Sequence, residues 1–199
     1  SEKNTGWEGG FRVPFMVRWP DKIQAGTVSN AIMSNLDWAP TLLAAAGEPS
    51  VKEKLLEGYE ADGKKFKVHL DGYNFLPYLT GQETTSPRIE YFYFSDDGDL
   101  LALRYGNWKV QFKVQDEPGT MRIWQREFEN LRLPYLFKRA TITSNTYWDW
   151  YIRHVFLLVP AQDKVGAFLS TFEEYPPRQK AASFTIDQVL QTLQKAHGG

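Results

Sequence analysis

The sequence predicts an α+β fold in which a small antiparallel sheet packs against helices. Three observations carry this. Strand-length runs rich in aromatic and branched residues occupy 89–94, 100–105 and 108–114, and Asp96-Asp97-Gly98 and Gly106-Asn107 separate them as tight-turn signals. Apolar residues after position 147 recur at spacings of three and four. A short, well-delimited helix is written into 37–47.

Taken in order, 13–19 is dominated by Val13, Phe15, Met16 and Val17 and reads as a short buried strand. Pro14 confines its start, and Trp19-Pro20-Asp21 breaks it. Residues 28–33 read as a second short extended piece. In 37–47, Asp37 is a good N-cap, Pro40 falls in the first turn, alanines propagate the helix and Gly47 ends it. The charged stretch 51–67 has no clean period and reads as a surface excursion. A helical piece is expected at 75–79, closed by Thr80-Gly81. In 108–114, Lys109, Gln111 and Lys113 alternate with Trp108, Val110, Phe112 and Val114, which predicts one wet face and one buried face. A further strand is expected within 121–131. The apolar positions of 147–159 predict a helix, with Pro160 starting the next one and Pro176-Pro177 stopping it. Thr185 and Gln188 form a capping box for a last helix.

Composition excludes several classes. The net charge of −1 leaves no cluster of Lys and Arg of the kind that neutralises phosphates, so no nucleic-acid partner is expected. The longest unbroken apolar run, 155–159, is far below the ~20 residues that span a bilayer, and no membrane partner is expected. The absence of cysteine excludes disulfides, thiolate metal sites and a cysteine nucleophile, and decides little about compartment. The polar run 1–6 carries no initiator Met and reads as a boundary within a longer protein.

The opening residues carry a resemblance. Lys3-Asn4-Thr5-Gly6-Trp7-Glu8-Gly9-Gly10-Phe11-Arg12-Val13-Pro14, followed by Val17-Arg18-Trp19-Pro20, resembles the stretch that follows the last metal ligand of the sulfatase family. Asp37, Pro40, Thr41, Leu42 and Leu43 with Ala46-Gly47, and then 71–81 from Asp71-Gly72-Tyr73-Asn74 to Thr80-Gly81, are similar to the family's next two segments, in the same order. The tail, 176–193, is similar to that of bacterial arylsulfatases. One place departs. Asn130-Leu131-Arg132-Leu133-Pro134 lacks the acidic residues usual there.

The resemblance implies the C-terminal part of an alkaline-phosphatase-like α/β fold. On that basis 1–85 would be a remnant of the catalytic domain (last strand, helix and linker), and 86–199 a C-terminal α+β subdomain. It implies a parent enzyme that hydrolyses sulfate esters, with calcium and a formylglycine nucleophile, in a periplasmic or secreted location. The formylglycine is made from Cys or Ser in a Cys/Ser-x-Pro-x-Arg motif, and this chain has no such motif. No cofactor is therefore expected in this chain, and it is expected to be inactive alone. By the same resemblance Lys3 is the one catalytic and substrate-binding residue that carries over, its counterpart contacting the sulfate as a point charge. Trp7, Glu8, Gly9, Gly10 and Arg12 would scaffold that loop. The two glycines would permit unusual backbone angles, and Glu8 and Arg12 would pair or cap backbone amides.

No metal site is expected. His69, His154 and His197 lack zinc-site spacing, and Asp96, Asp97 and Asp99 form a turn rather than a calcium loop. Trp148, Trp150 and Tyr151 fit core packing better than a sugar-binding face. Two other readings stay open. One is a stand-alone binding module with an aromatic-rich sheet. The other is a phosphate-ester enzyme of the same superfamily, against which the Trp7-Glu8-Gly9-Gly10 motif speaks. A piece of a large sheet would expose an unpaired edge, so self-association is expected.

Overall fold

The computed structural model describes residues 5–115, 126–138 and 147–176. Its elements are α1 (Glu8–Phe11), a 3-10 turn (Asn35–Asp37), α2 (Trp38–Ala45), α3 (Val51–Glu57), β1 (Tyr59–Ala61), β2 (Lys64–Phe66) and α4 (Leu76–Leu79). They are followed by β3 (Glu90–Phe94), β4 (Leu100–Tyr105), β5 (Trp108–Val114), β6 (Glu129–Lys138), α5 (Tyr147–His154), a 3-10 turn (Val155–Leu157) and α6 (Leu158–Glu174). The α+β class is as the sequence predicts, and the aromatic runs and their turns become β3, β4 and β5. The expected last helix and its capping box, beyond residue 176, lie outside the described residues.

The four longer strands form an antiparallel meander in the order β3-β4-β5-β6. Register places Phe92, Leu103, Val110 and Leu136 side by side on one face. There they meet Tyr151 and Ala161 of the helical run, with Tyr147, Trp150, Leu158 and Val165 around them. The packing is specific. Phe92 stacks on Phe168 at 4.0 Å, and the Tyr147 hydroxyl bonds both the N–H and the carbonyl of Leu136.

The opposite face of the sheet departs from the alternation argument. Tyr93, Ala102, Gln111 and Tyr135 share it, as do Arg104, Lys109 and Phe137. Lys109 and Gln111, expected to be wet, are 5% and 0% exposed. The cause is the N-terminal loop, which lies across this face and supplies polar partners. A period of two tells the two faces of a strand apart, but it does not tell which one a distant segment covers.

Other differences are local. Residues 13–19 form no strand, and Val13 and Met16 are 71% and 93% exposed. A strand needs a partner strand to take its backbone hydrogen bonds, and among the described residues no strand pairs with this segment, although Phe15 packs on Trp38 at 5.2 Å. Residues 28–33 also form no strand. The supposed excursion is α3 plus the β1–β2 hairpin. Its Asp62-Gly63 turn has positive φ at both residues, 49° and 68°, as a two-residue hairpin turn requires. Of the strand expected at 121–131, residues 121–125 lie outside the described residues, and 129–131 open β6. It carries Pro134 where pairing with β5 is irregular. The break between the last helices falls at Val155–Leu157, with Pro160 inside the first turn of α6. By length and average hydropathy the helical run Tyr147–Glu174 could cross a bilayer, unlike any unbroken apolar run in it. Here it is interrupted by the 3-10 turn, and one side is committed to the sheet.

The helix at 37–47 ends as expected. Glu48 N–H bonds Leu43 O at 2.8 Å and Gly47 N–H bonds Ala44 O at 3.1 Å, a Schellman closure with Gly47 at φ 100°. Asp37 stands at the helix N-cap as expected, but its side chain makes no bond into α2 and instead closes a capping box with Ser34 on the preceding 3-10 turn. The same carboxylate, 0% exposed, accepts from Tyr73 N–H at 2.8 Å and from Arg88 through Nε (2.9 Å) and Nη2 (2.6 Å). Arg88 also donates to the carbonyls of Asp71 and Glu90. One ion pair thus ties α2, the Asp71–Asn74 segment and β3 together.

This pair yields a stability prediction. Removing one partner leaves the other charge buried, at a cost of about 3–5 kcal/mol. Asp37→Ala is expected to lower the urea unfolding free energy of the chain by about that amount. A loss below about 1 kcal/mol would place the pair outside the stabilising core.

Candidate functional site

Lys3, the residue expected to meet sulfate, lies outside the described residues. The loop that follows it is described from Thr5 on. Thr5 and Gly6 are buried against the sheet, Trp7 packs edge-on to Phe137 of β6 at 5.6 Å, and Phe11 packs on Tyr93 at 4.7 Å and Tyr91 at 6.2 Å. Residues 8–11 make a single helical turn, and Arg12 N–H bonds Glu8 O.

Glu8 is the centre of this seat. Tyr93 donates its hydroxyl to Oε1 at 2.8 Å, Lys109 Nζ donates to the same oxygen at 3.2 Å, and Arg104 Nη1 donates to Oε2 at 2.9 Å. Lys109 also donates to Gly6 O at 2.5 Å and sits 3.9 Å over the Tyr93 ring. Burial alone would raise the pKa of Glu8. The Tyr93 hydrogen bond and the Lys109 and Arg104 charges outweigh it, and the carboxyl is held below its usual range. Tyr93 is pushed far up, first by burial and then by the adjacent carboxylate, so it stays a neutral donor.

The expected pairing of Glu8 with Arg12 is therefore replaced by partners from β3, β4 and β5. Arg12 is exposed and borders a cavity of about 880 Å³ between residues 11–15, 29–35 and the sheet, which Glu8, Trp38, Tyr91 and Arg104 also line. Gly9 and Gly10 lie in the helical turn, outside the positive-φ region. The demand for glycine falls on Gly6 instead. A Cβ there would stand 2.3 Å from Gln111 Nε2.

Sequence reasoning picked out Glu8 and Trp7 but missed Tyr93, Arg104, Lys109 and Gly6. The one available signal was the polar alternation on β5, where a lysine and a glutamine recur on a strand otherwise built for burial. Among the described residues, no three His, Asp or Glu side chains gather as a metal cage. The residues described do not fit a calcium site.

Comparison with known proteins bears on the family and the fold. Residues 2–97 match the family model described as N-sulphoglucosamine sulphohydrolase, C-terminal. The arylsulfatase of Hemicentrotus pulcherrimus is 32% identical over 114 residues, which cover 57% of this chain and 17% of that protein. Human arylsulfatase A is 34% identical over 117 residues, covering 57% of this chain and 20% of that protein. Among solved structures, the PsFucS1 sulfatase from Pseudoalteromonas sp. superposes with a TM-score of 0.65 at 24% identity, over 89% of this chain and 33% of that one. The fold is thus that of the C-terminal region of the alkaline-phosphatase-like sulfatases. These sequence matches support a C-terminal segment of the sulfatase family, and the chain spans a fifth or less of the length of these two curated relatives.

The Glu8 contacts predict a pH signature. Its folded pKa lies below the ordinary 4.5, so the stability it contributes is present above that value and is lost as pH falls through the folded one. Between about pH 6 and about pH 3, the unfolding free energy of the wild-type chain is expected to fall more steeply than that of Glu8→Gln. Parallel curves would show that Glu8 is not held by its three donors.

Proposed function

We propose that this chain is the C-terminal portion of an enzyme that hydrolyses sulfate esters, and that it is inert by itself. The observation that carries the reading is the Glu8 seat. It holds the loop from Thr5 to Phe11 against the sheet. In the whole enzyme Lys3, two positions before Thr5, would neutralise charge on the sulfate, with Gly6, Trp7 and Glu8 as the scaffold that follows it.

The rest of the chemistry lies elsewhere in the whole protein. Its calcium and its formylglycine nucleophile would supply charge neutralisation and attack on sulfur. This chain has neither the Cys/Ser-x-Pro-x-Arg motif nor, among the described residues, a carboxylate cage for them. A periplasmic or secreted location for the whole enzyme goes with this reading. The exposed apolar side chains of Val13, Phe15, Met16 and Val17 support self-association of the chain when nothing covers them.

A stand-alone module that recognises glycans on its aromatic sheet is less well supported. One face of that sheet is filled by α5 and α6, and the other by the N-terminal loop.

The purified chain, supplied with calcium, is expected to give no turnover of 4-nitrophenyl sulfate, and light scattering is expected to show particles larger than one chain. Steady turnover would overturn the claim of inertness. A strict monomer at high concentration would overturn the claim that 13–17 is an uncovered surface.

A further inference from the structure

A second cavity, of about 550 Å³, opens on the other face of β3, between that strand, α6 and the segment from Lys52 to Tyr73. Phe92 and Phe94 form one part of its wall, and Phe168 and Phe172 of α6 form another. Phe168 links them, stacked on Phe92 and 5.1 Å edge-on from Phe172. Opposite these rings stand Lys52, His69 and Tyr73.

The charges lining this cavity are mostly satisfied within the fold. Glu90 accepts from the Tyr73 hydroxyl at 2.9 Å and faces Lys164 at 3.9 Å. Asp71 is 3.0 Å from His69 Nδ1, and Arg88 is spent on Asp37. Lys52 is the exception. Its ammonium donates to Gly72 O at 3.1 Å and lies 4.5 Å over the Tyr73 ring, yet no carboxylate of the described residues stands within 4.0 Å of it. Burial lowers its pKa, and the Arg88 charge adds to this while Asp71 opposes it. A partly desolvated ammonium with unspent donors, next to an aromatic wall, is a combination that an outside anion relieves. Pockets of this size and character hold small organic ligands.

We propose that this cavity binds an amphiphilic organic anion, whose aromatic body sits against the four phenylalanines and whose sulfonate, sulfate or carboxylate head meets Lys52. The site stands on its own observations and does not depend on the sulfatase chemistry.

The test is isothermal titration of the 199-residue chain with 2-naphthalenesulfonate. One saturable site per chain is expected. Lys52→Met weakens it about tenfold or more, Lys52→Arg retains it, and the neutral 2-naphthalenemethanol binds about tenfold more weakly. Lys22→Met, at an exposed lysine that does not line the cavity, leaves binding unchanged. Absence of saturable binding to the wild-type chain would overturn the proposal. So would equal affinity in a Lys52→Met protein with unchanged circular dichroism and melting, or equal affinity for the neutral analogue.

Discussion

A single carboxylate with three donors joins the N-terminal loop of this molecule to its sheet. Glu8 reaches from a four-residue helical turn to Tyr93, Arg104 and Lys109 on three consecutive strands. The turn itself is too short to persist unaided. It is held by these donors, by Phe11 on the aromatic rings of β3 and by Trp7 on β6. The loop in turn gives the sheet its second covered face and makes room for two buried polar side chains on β5. Loop and sheet are each a condition for the other.

The Asp37–Arg88 pair does the equivalent work on the other side of the chain. It lies where α2, the Asp71–Asn74 segment and β3 converge, and every oxygen of Asp37 is occupied. A buried pair of this kind contributes little net attraction beyond what its desolvation costs. Its value is geometric, because this arrangement brings donors from Ser34, Tyr73 and Arg88 onto one carboxylate. The two hubs share β3, which places Tyr93 and Phe92 on opposite faces, so the loop on one side and α6 on the other are set by a single register.

What could be read from the sequence was the local part. Gly47 after an alanine-rich helix, the turns at Asp96-Asp97-Gly98 and Gly106-Asn107, and the sulfatase-like run around Trp7-Glu8-Gly9-Gly10 all depend on neighbours within a few residues. The Asp62-Gly63 hairpin was equally legible and was obscured by the charge of its flanks. What could not be read was distant pairing. Glu8 finds Arg104 and Lys109 about a hundred residues away, and Arg88 finds Asp37 across 51. The apolar character of 13–19 was legible as well, but it signals burial only when a covering segment exists. Among the described residues the ring contact it makes is Phe15 on Trp38, and Val13 and Met16 stay exposed.

The account stands or falls on whether Glu8 is energetically coupled to the strands beneath it. A double-mutant cycle between Glu8→Gln and Lys109→Met, read by urea unfolding of the chain, tests this directly. The predicted coupling is about 1 kcal/mol or more, because the buried ammonium and the carboxylate share one hydrogen-bonded network. Strict additivity of the two substitutions would mean that the loop merely rests on the sheet, and would contradict the account.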